Sequence, residues 1–139
     1  MRLLLAADGS KHTWKALAYL VAHRELLGDD ELAVLHVQAA IPAGVGPLVG
    51  ADVVSKYHQE EGEAVLLPID NLLKHHGIAA SCKWVLGALP GALLEAAARE
   101  HAEMIVMGTH GHGAVGRLFM GSVSQGVVTQ GDIPVLLVK

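Results

Sequence analysis

Short apolar runs alternate along this chain with longer segments whose apolar residues recur at a helical period. Runs of about four to eight apolar residues are typical of strands buried on both faces of a parallel sheet. Five such runs predict strands at Arg2–Ala7, Leu32–Val37, Ala80–Leu86, Met104–Met107 and Ile133–Val138. Because these runs alternate with helical segments, we expect an α/β fold with helices on both faces of a five-stranded parallel sheet.

The segments between these runs predict four helices. Ser10 is a typical N-cap residue for the first helix, and Gly28 is its stop. The third helix is predicted at Pro90–His101, where a proline in the first turn is tolerated, and the fourth at Ser122–Gln130. Apolar residues of the first helix recur at i, i+3, i+4 and i+7, which predicts an apolar face made of Trp14, Leu17, Ala18 and Val21.

The second helix is predicted from about Asp52 to His76, with Gly77 ending it. Pro68 lies inside this helix, and an internal proline removes a backbone hydrogen bond, so we expect a kink or a break there. The preceding segment, Ala39–Gly50, is rich in proline and glycine and is predicted to be a long surface loop. The inward residues of the second helix are predicted to be Val54, Val65, Ile69, Leu72 and Leu73.

Size and charge limit the classes of protein to which the chain can belong. Its 139 residues, 52% of them hydrophobic, predict one compact domain over residues 1–139. A formal net charge of −4 without a basic run argues against a nucleic acid partner, and no apolar stretch approaches the ~18 residues of a membrane span. The single Cys82 cannot form an internal disulfide, and its apolar surroundings favour a small buried residue and a reducing, cytoplasmic location.

A glycine-rich loop carries the main chemical signal. Gly108-Thr109-His110-Gly111 follows the predicted fourth strand, and Gly121-Ser122 opens the predicted fourth helix nine residues later. A strand, a glycine-rich loop and a helix N-terminus in this order direct backbone N–H groups towards an anion. We expect the anion to be a nucleotide phosphate, which can approach the main chain where the glycines have no Cβ.

This spacing, G-2x-G-9x-G-[ST] before a final apolar strand, resembles the ATP-binding branch of the universal stress protein family. The resemblance covers nearly the whole chain. It implies a Rossmann-like fold, similar to the adenine nucleotide alpha hydrolases, with strand order 3-2-1-4-5. It also implies ATP as the cofactor, and Mg²⁺ could accompany it through phosphate oxygens and waters.

The resemblance implies a binding role for particular positions of this sequence. Asp8 would face the nucleoside, in a turn where the family's usual proline is replaced by Ala6, and Val37 would meet the adenine. Met107 and Gly108 would border the base and ribose, while the loop and the start of the fourth helix would close over the phosphates. The predicted cofactor-binding residues are Ala6, Asp8, Val37, Met107, Gly108, His110, Gly111, Arg117, Gly121, Ser122, Val123 and Ser124.

Two kinds of side chain in the loop could add positive charge at the phosphates. Arg117 is the only fixed positive charge there and is the better phosphate partner. His110 and His112 could pair with a phosphate oxygen when protonated, or could be solvated loop residues. The other histidines and nearby carboxylates form no recognisable ligand set, so we predict no metal site built from protein alone. Gly126, inside the fourth helix, is expected to weaken it by about 1 kcal/mol relative to alanine.

Three functional hypotheses follow. The first is a nucleotide-dependent signalling or stress-response module that binds ATP without efficient catalysis and signals to an unknown protein partner. The second is a slow ATPase or phosphotransferase, disfavoured because neither a general base nor an acceptor motif is recognisable, so no catalytic residue is predicted. The third is a dimeric interaction protein that does not retain ATP. Gly111–Gly116 also matches a dinucleotide fingerprint, but Asp132 precedes the last strand where that fingerprint needs an acid at a strand end.

The last strand predicts how the molecule associates. Ile133–Val138 would lie at the edge of the sheet with little charge to protect it, and such an edge is prone to pair with another chain. The family resemblance implies association through the same strand. We therefore predict a homodimer formed through Ile133–Val138.

Overall fold

Five parallel strands form a single sheet in the order β3-β2-β1-β4-β5, as predicted. The computed structural model describes residues 1–110 and 120–139. The strands are β1 Leu3–Ala6, β2 Leu32–Gln38, β3 Ala80–Leu86, β4 Met104–Gly108 and β5 Val135–Val138. The helices are α1 Lys11–Ala22, α2 Gly46–Val49, α3 Ala51–His75, α4 Gly91–Arg99 and α5 Ser122–Gln130, with a short 3₁₀ turn at Arg24–Leu26.

Helices cover both faces of the sheet, because each strand alternates its apolar side chains between them. On one face α1 and α3 pack against the sheet, and on the other face α4 and α5 do so. Neighbouring residues of β1 show the alternation: Leu3 and Leu5 lie in the first cluster and Leu4 lies in the second. The prediction of a doubly covered α/β sheet is therefore confirmed. Among the described residues, no helix has both the length and the apolarity to cross a membrane.

The apolar face predicted for α1 is partly right, because two of its four residues, Leu17 and Val21, lie in the core or pack against it. Trp14 is 38% exposed and Ala18 is exposed as well, whereas Leu17 is buried as predicted. The buried side of α1 includes Thr13 in place of Trp14, because the Thr13 hydroxyl donates a hydrogen bond to Asp8 and this bond brings the Thr13 side chain inside. The buried residues of α1 are Thr13, Ala16, Leu17 and Leu20.

The segment around α3 also departs from the predictions. The proline does not break the helix, which continues through Pro68 as one 25-residue element. Ile69 and Leu73 are buried as predicted, but His58 and Gly62 are buried on the same helix and were not predicted to be. The segment Ala39–Gly50, predicted to be a loop, contains the four-residue helix α2. His58 is inside because its ring nitrogen Nδ1 lies 2.7 Å from Oε1 of Gln38, at the end of β2.

Candidate nucleotide-binding site

A cleft opens at the carboxyl ends of β1 and β4, the two neighbouring strands from which the chain proceeds to opposite sides of the sheet. In open α/β sheets, ligands bind beyond the strand ends at such a point of reversal. The volume open to the centres of water molecules is about 80 Å³, several times the ~10–15 Å³ that one water requires. Described residues that line the cleft are Ala6, Ala7, Asp8, Thr13, Leu35, Val37, Leu89, Leu93, Met107, Gly108, His110, Val123 and Ser124.

Asp8 is oriented by the first turn of α1. Its Oδ1 accepts hydrogen bonds from the Ser10 backbone N–H at 2.9 Å and from the Thr13 hydroxyl at 2.8 Å. The Asp8 backbone N–H donates to the same Thr13 oxygen at 3.0 Å. Ser10 occupies the N-cap position as predicted, but its side chain makes no capping hydrogen bond. The aspartate and Thr13 therefore fix the turn that leads from β1 into α1.

The amino end of α5 borders the cleft. The Gly121 backbone N–H donates to the Thr109 carbonyl at 2.6 Å, which joins the two ends of the glycine-rich loop. The first intrahelical bond runs from the Gln125 N–H to the Gly121 carbonyl at 3.0 Å. In any α-helix the N–H groups before that bond have no acceptor within the helix, and here they belong to Ser122, Val123 and Ser124. With the positive end of the helix dipole, they favour an anion.

The Ser124 hydroxyl holds α5 against the end of β4. The side chain is 2% exposed, and its hydroxyl donates to the Gly108 carbonyl at 3.0 Å. That bond connects α5 to the end of β4. Ser122 is exposed at the first position of α5. Of the two predicted serine side chains, the structure leaves Ser122 at the surface and uses Ser124 to hold the helix against the strand.

Gly108 is required by packing as well as by any ligand. A Cβ atom built at this position would lie 2.6 Å from the His12 Cβ and 2.8 Å from the His12 carbonyl oxygen. A second contact brings the α1 side and the loop together, because the rings of His12 and His110 have centroids 5.2 Å apart. Gly121 has extended dihedrals, φ −71° and ψ 163°, so its place at the N-cap does not depend on the left-handed conformations open to glycine. From the sequence alone, Gly108 is explained by the approach of a phosphate, whereas packing against His12 also requires a glycine there.

His12 lies in a positively charged environment at the start of α1. Burial lowers the pKa of its ring, and its buried Nδ1 has no hydrogen-bond partner in the part of the chain that the structure describes. Neighbouring positive groups lower that pKa further, in the order His110, Lys11 and Lys15, and the carboxylate of Asp8 opposes them. Protonation of this ring is therefore disfavoured unless an anion arrives.

Cys82 and His36 are not among the residues that line the cleft. Burial raises the pKa of the Cys82 thiol to about 11, with the Asp70 carboxylate acting in the same direction, which fits an unreactive, partly buried thiol. His36 places Nδ1 2.8 Å from the Ala7 carbonyl oxygen and so connects β2 to β1. No group of three or more potential metal-binding side chains occurs within residues 1–110 and 120–139.

Comparison with known proteins identifies the family. The profile of the universal stress protein family matches residues 1–139. The chain belongs to this family. A universal stress protein from Thermus aquaticus, encoded in the 3′ region of a QAH/OAS sulfhydrylase gene, is 38% identical over 138 residues, which cover 99% of this chain and 97% of the relative.

Solved structures show the same fold. The hypothetical protein MJ0577 superposes with a TM-score of 0.85 at 25% identity, covering 99% of this chain and 94% of that one. A universal stress protein from Arabidopsis thaliana, solved with AMP bound, superposes with a TM-score of 0.71 at 18% identity, covering 100% and 91%. The Arabidopsis protein thus binds AMP on a fold that this chain shares.

The cleft brings together most of the residues named from the sequence. Gly121 and Ser122 stand at the start of α5 and do not line it, while Gly111 and Arg117 lie outside the described residues. The predicted residues that line the cleft are Ala6, Asp8, Val37, Met107, Gly108, His110, Val123 and Ser124. Sequence reasoning missed the lining residues Ala7, Thr13, Leu35, Leu89 and Leu93.

One of the missed residues had a signal in the sequence. Leu35 lies two positions before Val37 on β2, so both side chains project to the same face of the sheet. Thr13 and Leu89 had no comparable signal, because their places depend on the turn after β1 and on the approach to α4. Residues in strands could be extrapolated from their neighbours, whereas those in the connections could not.

Proposed function

We propose that this universal stress protein binds ATP in the cleft and acts as a nucleotide-dependent signalling or stress-response module without efficient catalysis. The observation that carries the proposal is the composition of the cleft. It combines an apolar wall with an oriented carboxylate, Asp8, and with the amino end of α5. A flat apolar base, a hydroxylated sugar and an anionic tail match these three features in turn. The family and the AMP-bound relative support the same ligand class.

The apolar wall suits the base. The wall consists of aliphatic side chains from β2, from the β3–α4 connection and from α4, with the Met107 thioether from β4. The aliphatic residues are Leu35, Val37, Leu89 and Leu93. Removing an adenine ring and these side chains from water together supplies non-directional binding energy. Asp8, placed at the end of β1, is the group we assign to the nucleoside.

The amino end of α5 suits the phosphates, because its first N–H groups and dipole favour negative charge. ATP brings more negative charge to this end than AMP does, so we propose ATP as the preferred ligand. Mg²⁺ would be bound by phosphate oxygens and water. Since free adenine nucleotides are intracellular ligands, the proposal places the protein in the cytoplasm.

Efficient hydrolysis is not part of the proposal. Phosphoryl transfer needs a group that orients the attacking nucleophile. Asp8 is the only carboxylate among the described residues that line the cleft, and its Oδ1 is used by Ser10 and Thr13. We assign it to the nucleoside, away from the terminal phosphate.

Ser122→Glu tests the phosphate assignment, with Ser122→Gln as the matched control. A glutamate at the exposed first position of α5 complements the helix dipole, so we expect stability to be kept or to rise by ~0.3–1 kcal/mol. The same charge, in the first turn of α5, would oppose phosphates at the N–H groups of that turn and should weaken ATP binding about tenfold or more, equivalent to ~1.4 kcal/mol. Ser122→Gln, of the same size but neutral, should change affinity little. Titration calorimetry with ATP and AMP, with and without Mg²⁺, measures both variants.

The outcomes separate the functional hypotheses. Saturable ATP binding that falls in Ser122→Glu and not in Ser122→Gln supports the module. Absence of binding to the folded wild type contradicts it and leaves an interaction protein that does not retain ATP. Release of ADP at a steady rate in the same samples would favour the slow ATPase.

A further inference from the structure

Two histidines lie together where the cleft meets the amino end of α5. His110 lines the cleft alongside Val123 and Ser124 of the first turn of α5. The His12 ring lies behind it, with ring centroids 5.2 Å apart and planes inclined by 43°. The Thr109 hydroxyl oxygen and His110 Nδ1 are 3.0 Å apart, an interaction that orients the His110 ring.

The surroundings of the pair are predominantly positive. His12 occupies the second position of α1, where the helix dipole disfavours added positive charge. Lys11 and Lys15 act on the ring from the same helix, and Asp8 is the negatively charged group that opposes them. Nδ1 of His12 is buried and has no hydrogen-bond partner among residues 1–110 and 120–139. An anion in front of His110 would supply the charge that this environment lacks.

We propose that His110, supported by His12, is a proton-linked contact for the phosphates of the bound nucleotide, so that phosphate and proton bind together. The inference rests on the proposed function, since it assigns these residues to the phosphate end of the same cleft. His110 contacts the phosphate, and His12 is a positioning residue that acts through the neighbouring ring.

The direction of the linkage follows from the charges. Without nucleotide, burial opposes protonation of the His12 ring, and so do the neighbouring groups His110, Lys11 and Lys15. With a phosphate bound, its negative charge favours the protonated form, so the pKa of the pair rises on binding. A site whose pKa rises on binding takes up protons, and affinity then increases as pH falls towards the ordinary histidine range near 6.5.

Titration calorimetry of the full chain tests this coupling directly. ATP and adenosine are titrated at pH 7.0 and 8.0, each in two buffers that differ in ionisation enthalpy, so that proton uptake is read from the difference in heat. We expect uptake with ATP and none with adenosine, which lacks phosphate. As pH falls by one unit, ATP affinity should rise about threefold relative to adenosine affinity, whereas uptake of one full proton would raise it about tenfold.

Three variants assign the proton. His110→Gln should abolish the uptake and His12→Gln should reduce it, whereas His75→Gln, at the exposed end of α3, should leave it unchanged. The titration of ATP itself, with a phosphate pKa near 6, is common to all variants and cancels between them. In the wild type, imidazole NMR signals of His12 and His110 should titrate at higher pH with ATP bound than without it.

The results distinguish this inference from the function on which it rests. ATP binding without proton uptake, or uptake that persists in both His110→Gln and His12→Gln, overturns the proton-linked contact and leaves nucleotide binding intact. If neither ATP nor AMP binds the folded wild type at either pH, both proposals fail together. Unchanged imidazole pKa values on ATP binding would also overturn the inference, without relying on any variant.

Discussion

At the scale of single residues, Gly108 shows how one position can serve the fold and the site together. The sequence suggested that this glycine leaves room for a phosphate. The structure shows that the space in front of its Cα is taken by the His12 Cβ and by the His12 carbonyl oxygen. Because a carbonyl in the first turn of α1 cannot move without moving the helix, the close approach of β4 and α1 requires glycine here.

We expect Gly108→Ala to lower the free energy of unfolding by about 1–3 kcal/mol, the usual cost of an added methyl group in a packed region. Urea denaturation measures the change. Gly91→Ala is the matched control, because a Cβ there meets nothing within 4 Å, and its helical position should make it neutral or slightly stabilising. Equal stability of Gly108→Ala and wild type would contradict the packing explanation and leave ligand approach as the reason for the glycine.

Gly126 gives a similar lesson about residue identity. From the sequence alone, we expect Gly126 to destabilise α5 relative to alanine. A Cβ at this position would lie 2.9 Å from the Pro90 Cγ, so the missing side chain lets α5 approach the start of α4. Local propensity predicted its cost, but only the packed helix pair shows the compensation. Such compensation cannot be inferred from a sequence, because the partner lies 36 positions away along the chain.

At the scale of secondary-structure elements, α3 shows that tertiary packing can override a helix breaker. The buried residues Leu66 and Ile69 flank Pro68 and anchor the helix to the sheet on both sides of it, while Pro68 itself is exposed. Packing on the two sides maintains one continuous helix, although the proline provides no N–H for its turn. The sequence could show the local cost but not the packing that offsets it.

Pro68→Ala should therefore stabilise the protein. Restoring the missing N–H and removing the ring clash are worth up to about 3 kcal/mol in a helix interior, and we expect a gain of about 1–3 kcal/mol here. Thermal and urea unfolding measure it. Leu67→Ala, at the neighbouring exposed position, should change stability by only ~0.5 kcal/mol. A loss of stability in Pro68→Ala would mean that the proline ring makes contacts outweighing its backbone cost.

The elements also show where hydrophobic periodicity succeeds. The runs that predicted β2, β3 and β4 lie within a residue or so of the observed strands. For the inner strands β2 and β4, the reason is that strands covered on both faces tolerate few polar residues. The α1 face was misplaced because Trp14 weighs heavily in a hydrophobic pattern, whereas Thr13 turns inward through a specific bond to Asp8. Helix α2 was missed because its four residues include glycine and proline.

At the scale of the whole molecule, the alternation of elements predicted two helical layers but not the order of the strands. The order 3-2-1-4-5 came from the family resemblance, and it determines which strand ends meet. Once β1 and β4 are neighbours, Asp8 and Gly108 must lie at one edge of the sheet. Gly111 and Arg117 lie outside the described residues, and the nucleotide-binding role of all twelve assigned residues stays a prediction.

The strand order also places β5 at an edge of the sheet, and this carries the homodimer proposal. The carbonyls of Pro134 and Val138 accept hydrogen bonds from the N–H groups of Ile105 and Thr109, on the β4 side. Because alternate residues of a strand direct their backbone groups to opposite sides, the N–H and C=O groups of Val135 and Leu137 point away from β4. Among the described residues no strand pairs with those outward groups, and the side chains of β5 are apolar.

Leu137→Pro tests whether a second copy pairs there. Proline removes an outward N–H while leaving the ladder to β4 intact, which edge strands tolerate. Leu137→Ala loses the same leucine packing but keeps the N–H. If the dimer forms by strand pairing, wild type and Leu137→Ala should both be dimers by light scattering at micromolar concentration, and Leu137→Pro should be a folded monomer. A dimeric Leu137→Pro would show that the interface does not depend on pairing through β5. A monomeric wild type would contradict the homodimer proposal.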